Sequence, residues 1–588
     1  MHRTLTVGWP LAAALLVLTS PPLAHAKKAP APPPPVPAAE LRATELIGEH
    51  VQLYRPLYLA SSEAFWEAMT TGSDAAFASK TEADGHIREV FSSRERFALI
   101  RELLADPTLT DPDLRRQLEM LERGYLRQQL PDEARIRLNE LENEVDRIFS
   151  TYRMEVAGDS WSMADVERTM ASSTDSALLE QGWKASKQVG VPLLPLHLEI
   201  VALRNEAAVE LGYRDWIELS LHSQDFDPAW LESFFAEVEQ ATDAPFAELK
   251  SQVIDPHLAA RFGIPAEELM PWHYGNPYFQ DVPPGLFEVD LDGLYARRDH
   301  EQVVADAADF CLSTGLPAET ILARSDLYPR EGKNPHAMAH KMDLERLDTA
   351  ILLMNLPLPP AGQNRMGTAT LLHELGHCLH YEAVDHGLPY LFLDVDSQTT
   401  EALAMLLERQ VVTADWMGHY LGAPEEEARA AAAAAWKGFR AQELIFARWC
   451  LVIYHWEKDI YANPDQDWGD AWWRHKERFQ GLTRPADWSN PDPLGKYHLA
   501  SASATYYNNY AVGSFVAAQV ADALARHIGQ DVGSAAYRGD PRTGEWLRSR
   551  YMQHGSRFGW LELIERATGA PLGTDAWRRQ FIGEPAQE

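Results

Sequence analysis

The 588-residue chain contains only three cysteines, Cys311, Cys378 and Cys450. So few thiols exclude a disulfide framework, and a chain of this size has to be held by its core. Positive charge is scarce as well: 53 lysines and arginines stand against 86 aspartates and glutamates, a formal net charge of −33. No basic run exceeds the Lys27-Lys28 pair. That argues against nucleic acid and anionic membrane surfaces as partners, since both need clustered Lys and Arg. A Gly-rich nucleotide loop and an internal repeat period are both missing. The apolar run in "MHRTLTVGWPLAAALLVLTSPPLAHA" is too short and too interrupted by proline to span a bilayer.

That run reads instead as an export signal over residues 1–26. Arg3 lies in a short basic region, the apolar stretch centres on Leu11 to Leu18, and Ala24-His25-Ala26 forms the cleavage site. No cysteine follows it to accept a lipid. "KKAPAPPPPVPAA" opens a proline-rich spacer, residues 27–40, expected to be extended and unpacked. The sequence therefore predicts a protein exported to the periplasm or secreted, with no stable membrane insertion once the leader is removed. No feature specifies an oligomeric state.

From about residue 41 the pattern is helical almost throughout. "LRATELIGEHVQLYRPLYLASSEAFWEAM" and "IRLNELENEVDRIFSTYRMEV" carry apolar residues at spacings of three and four between charged faces. A long apolar-periodic stretch breaks near Gly212, and another begins at Pro424 with three glutamates, as a helix N-terminus favours. Alternation is rare, and "HAMAHKMDL" with "LDTAILLMNL" is a plausible short hairpin. With no Gly/Pro-rich linker to divide it, residues 41–588 read as one all-α body with at most a small β-hairpin.

Within it, "TATLLHELGHCLHYEA" puts three histidines and two glutamates into an apolar helix. Its H-E-x-x-H places His373 and His377 on one helix face, Cβ atoms about 5–6 Å apart, so both imidazoles can converge on one ion. Glu374 between them can reach a water as general base. Two satisfied core histidines would also explain the pattern. A catalytic zinc usually takes three protein ligands, and Ala383 occupies the position where a third histidine would extend the motif. Glu401, 28 residues beyond His373, begins a second apolar-periodic helix that Thr399 or Thr400 could cap, and it supplies the missing ligand. The expectation is one Zn²⁺ ion held by His373, His377 and Glu401. Cys378, about 100° around the helix from His377, reads as packed.

"HELGH" followed by Glu401 resembles the gluzincin metallopeptidases, and the 28-residue offset is that of the angiotensin-converting enzyme (peptidyl-dipeptidase A) family. "DLYPREGKNPHAMAH", residues 326–340, resembles the thimet oligopeptidase family instead. "GKYHLASASATYYNNYAVGSF" is similar to both, giving His498 followed by Tyr507 and Tyr510 in a Tyr-x-x-Tyr pattern. The sharp matches are confined to residues 326–408 and 496–510. The resemblance implies an all-helical fold of two lobes divided by a deep active-site channel, and a zinc metallopeptidase domain over residues 41–588. It further implies that His498 and Tyr510 donate hydrogen bonds to the scissile carbonyl oxygen. Lys496 and Tyr507 would bind a substrate's C-terminal carboxylate, and His336 and Ala337 its backbone. Short peptides are the implied substrates, cut by a peptidyl-dipeptidase or by a thimet-like oligoendopeptidase. A helical peptide-binding protein without catalysis is the reading from a different class.

The sequence departs from these patterns at several points. Ser503 stands where the thimet pattern has a further tyrosine. Asn508-Asn509 occupies the slot of the converting enzyme's chloride-site arginine, which argues against chloride activation. Met405 replaces an aspartate that supports a zinc-binding histidine there, so another carboxylate, Glu408 or Asp396, has to orient the ligand.

Overall fold

The computed structural model describes residues 36–287, 289–486, 488–500 and 504–583. The leader, most of the spacer and Ser503 lie outside the described residues. Among the described residues the fold is 69% helical against two sheets of two strands each, which makes the all-α class plain. The first helix, α1 (Ala38–Thr71), ends at Gly72, whose φ of 63° only a glycine adopts without strain. It starts inside the stretch expected to be an extended spacer, because Ala38, Ala39 and Glu40 continue its helical period and Ala39 is buried.

Two strand pairs interrupt the helices, one more than the sequence led us to expect. Strands β1 (Met154–Val156) and β2 (Asp159–Trp161) pair antiparallel around Ala157 and Gly158, both at positive φ, the backbone of a tight hairpin. The helical reading of "IRLNELENEVDRIFSTYRMEV" was therefore too long by its last residues, since that helix stops at Thr151. The second pair is the expected one. Strands β3 (Met338–Lys341) and β4 (Ala350–Leu353) pair antiparallel with Met338 opposite Leu353. Strand β4 is fully buried.

Four more helices frame the zinc motif and the paired tyrosines. The motif forms α2 (Arg365–Ala383), begun by Asn364, whose side chain accepts from the Gly367 N–H at 2.7 Å. Glu401 lies on α3 (Ser397–Glu408). Its N-cap is Asp396, so neither threonine caps it: Thr399 Oγ1 bonds the Asp396 carbonyl and Thr400 faces α2. Helix α4 (Glu425–Ala462) starts after Pro424 with three glutamates in its first turn, as read from the sequence. Helix α5 (Tyr506–Ile528) carries the paired tyrosines.

One large core joins Leu371, Leu372 and Leu375 of α2 to Leu403 and Leu407 of α3 and to Val512 and Phe515 of α5. A smaller N-terminal core gathers Leu46 and Ile47 of α1 with Ile100, Leu103, Leu118 and Leu121. A cavity of about 720 Å³ lies between the helix Pro112–Leu126, the Asp394–Gln398 segment, Tyr506 and Asn509. All three cysteines are free and buried. Among the described residues no helix is long and apolar enough to cross a membrane.

Candidate metal centre

Close contact between α2 and α3 builds the site. Gly376 makes it possible: a Cβ there would lie 2.7 Å from Ala404 Cα, so any side chain would push the two helices apart. With the backbones this near, Glu401 reaches across to both histidines. His373 Nε2 and His377 Nε2 are 3.3 Å apart, and Glu401 oxygens lie 3.6 Å from the first and 3.5 Å from the second. Ligand atoms about 2.1 Å from a tetrahedral zinc stand about 3.4 Å from one another. The three donors therefore already have the spacing of a zinc site, and they are the one such group among the described residues. His373, His377 and Glu401 keep 20%, 12% and 28% side-chain exposure, so the face they share is open to a reactant.

The outward nitrogens of both rings are committed. His373 Nδ1 lies 2.8 Å from Glu408 Oε2, and His377 Nδ1 lies 2.9 Å from Thr400 Oγ1. These bonds fix the ring orientations and leave both Nε2 atoms facing the ion position. Of the two carboxylates considered for this supporting role, Glu408 fills it. Asp396 lies instead near Arg116, at 3.7 Å.

Electrostatics also suit a cation. Burial, chiefly, raises the Glu401 carboxyl above its ordinary range and pushes Glu374 up to about 7, against the pull of His373 and of an N–H from Ala339 of β3. Burial would depress His373, yet the Glu408 hydrogen bond and the surrounding carboxylates carry it up to about 9. Three carboxylates crowded around two imidazoles in a partly dry site are stabilised by a divalent ion. The donor set of two imidazoles and one carboxylate fits zinc.

The second cluster meets this one through α5. Burial first, then the neighbouring Tyr506 hydroxyl and then the Glu401 carboxylate hold the Tyr510 phenol well above the usual range. One turn on, a Cβ at Gly513 would lie 3.7 Å from Glu401 Cγ. His498 stacks on Tyr506 with ring centroids 6.0 Å apart, and Tyr506 bonds Tyr510, hydroxyl to hydroxyl, at 2.7 Å. Lys496 lies 5.6 Å from the Tyr278 ring, and the buried Tyr507 packs beside Trp449. His336 sits in an exposed bend before β3, its N–H given to Asn334 Oδ1 at 2.8 Å, and Ala337 leads into the strand. Among the described residues strand β3 pairs with β4 and with no other strand. Cys378 is packed, its thiol 3.5 Å from the Ile351 carbonyl.

Asn509 spans two elements: Gln398 Nε2 donates to its Oδ1 at 2.9 Å, and its Nδ2 donates to Gln224 Oε1 at 2.7 Å. Thr400, Ala339 and Tyr506 were not read from the sequence as part of this constellation. Only Tyr506 left a signal there, its i, i+4 spacing to Tyr510.

Comparison with known proteins divides the chain. The angiotensin-converting enzyme family model matches residues 38–251, and the peptidase family M3 model matches residues 320–582. Angiotensin-converting enzyme of Mesocricetus auratus is 24% identical over 578 residues, covering 89% of this chain and 42% of that protein. The Oryctolagus cuniculus protein of the same name is 23% identical over 554 residues, covering 86% and 40%. The Rattus norvegicus protein is 23% identical over 622 residues, covering 96% and 45%. The chain thus spans less than half the length of these relatives. It resembles the gluzincin metallopeptidases of both families, the converting-enzyme kind over its first part and the M3 kind over the part that carries the metal centre.

Proposed function

We propose that the chain is an exported zinc peptidase that hydrolyses short peptides and releases C-terminal dipeptides. The observation that carries this reading is the convergence of His373 Nε2, His377 Nε2 and Glu401 at zinc-ligand spacing, with Glu374 between the histidines. Zinc, when bound, supplies a Lewis acid for the scissile carbonyl and for water. His373, His377 and Glu401 hold the ion, while Glu408 and Thr400 keep the two rings aimed. Glu374 takes a proton from the attacking water, and its burial, 9% exposed, favours the raised carboxyl a general base needs near neutral pH. Tyr510 and His498 donate to the carbonyl oxygen as negative charge develops on it, where preorganised donors are worth most.

Release of dipeptides is supported by Lys496 and Tyr507, a cation and a hydroxyl suited to a terminal carboxylate. The M3 match across the metal centre favours a second reading, an oligoendopeptidase that needs no free C-terminus. The test uses residues 27–588 and one short peptide, as free acid and as C-terminal amide, with products identified by mass spectrometry. Chelator-sensitive loss of a dipeptide from the free acid alone is the expected outcome. Equal internal cleavage of both forms would establish the endopeptidase instead, and no cleavage of either would remove the peptidase reading.

A further inference from the structure

Tyr506 lies outside the Tyr-x-x-Tyr pattern of residues 507–510, yet it touches both of the groups assigned above to the carbonyl oxygen. Its ring stacks on His498 at 6.0 Å and 13°. Its hydroxyl lies 2.7 Å from that of Tyr510, one helical turn on, with the two rings nearly perpendicular. It also lines the 720 Å³ cavity beside Gln398 and Asn509.

A phenol has one proton to donate. If Tyr510 spent its proton on Tyr506, none would remain for a substrate. With Tyr506 as donor, the Tyr510 oxygen is the acceptor and its O–H is free to point toward Glu401 and the reacting carbonyl. Hydrogen bonds arranged in series polarise one another, so a phenol that accepts becomes a better donor. We propose that Tyr506 is a positioning residue for Tyr510: its hydroxyl donates to the Tyr510 oxygen and so reserves and strengthens the Tyr510 proton for the developing oxyanion. No covalent bond changes in this role. It rests on the reading that Tyr510 serves the carbonyl oxygen.

The experiment compares Tyr506→Phe, Tyr510→Phe and the double variant with the wild type on one peptide. Tyr506→Phe keeps the ring and its stack on His498, so melting temperature and zinc content stay at wild-type values. Its kcat falls about tenfold with KM unchanged, the scale of one hydrogen bond felt only in the transition state. Tyr510→Phe falls about 10²-fold, and adding Tyr506→Phe to it lowers kcat no further, since the first tyrosine acts through the second. A merely structural Tyr506 would move KM or melting temperature, or would add its own factor to the double variant. Wild-type kcat in Tyr506→Phe, or a double-variant loss equal to the product of the two single losses, overturns the proposal while leaving the Tyr510 role intact. Full turnover in Tyr510→Phe removes that role and this one with it.

Discussion

Glu408 follows Glu401 by seven residues, so two turns of α3 set both carboxylates on one face, one toward the ion position and one behind His373. The aspartate expected four residues after the ligand is Met405 here, and the support has moved one turn along the same helix. Glu408→Ala should therefore leave the fold intact and weaken zinc binding about 10–100-fold, the usual cost of losing an outer partner. Competition against a calibrated chelator reads this directly, and wild-type affinity would show that Glu408 does not orient the ring. Glu374→Gln is its counterpart: turnover should disappear while zinc stays bound, because the amide keeps the shape and loses the base. Activity in a zinc-loaded Glu374→Gln protein would rule the mechanism out. His373, Glu374 and His377 could be read together because helical periodicity converts a spacing of four residues into a shared face, whereas Glu401, on another helix, was read from its 28-residue offset and from a two-histidine site that lacked a third donor. Thr400 and Ala339 were not legible, because their partners, His377 and Glu374, are fixed by how helices and strands pack rather than by neighbours in sequence.

Between elements, the decisive contact is the crossing of α2 and α3 at Gly376 and Ala404. Gly376→Ala puts a methyl where 2.7 Å of space exists against the Ala404 backbone, and a backbone cannot rotate away as a side chain can. Such overpacking costs about 1–3 kcal/mol. It should also separate Glu401 from the histidines, so melting temperature and zinc affinity fall together. A variant with unchanged zinc affinity would show that the helices have slack. The glycine of "HELGH" was visible in the sequence, but what it faces was not. The same holds for the hairpins: β3 and β4 announced themselves by alternation beside the motif, whereas three-residue strands such as β1 and β2 are too short to show a period. Asn509 replaces an expected arginine with a neutral amide that ties α5 to α3 through Gln398 and to the first part of the chain through Gln224.

Across the whole molecule, polar contacts tie together the two parts that resemble different families. Arg204 donates to the Tyr461 hydroxyl at 2.8 Å, Asn205 to the Tyr461 carbonyl at 2.8 Å, and Ser220 Oγ lies 2.9 Å from Thr505 Oγ1. Glu457 of α4 accepts the Thr505 N–H at 2.9 Å, at the residue that precedes α5. Glu457 is buried, and burial pushes its carboxyl up to about 7, although the Thr505 N–H and Arg204 favour the charged form. A folded-state value above the unfolded one means the protonated carboxyl is the form the fold prefers. Its contribution to stability is complete below the ordinary glutamate value and is lost as pH rises through about 7. The shift bounds that loss at about 3 kcal/mol, at 1.36 kcal/mol per pH unit. Glu457→Gln keeps an acceptor for Thr505 and cannot ionise. It should match the wild type at pH 5 and melt higher than the wild type at pH 8. Identical melting profiles for the two proteins across that range would mean that Glu457 is charged in the folded state throughout, and that the junction between the two parts tolerates a buried anion.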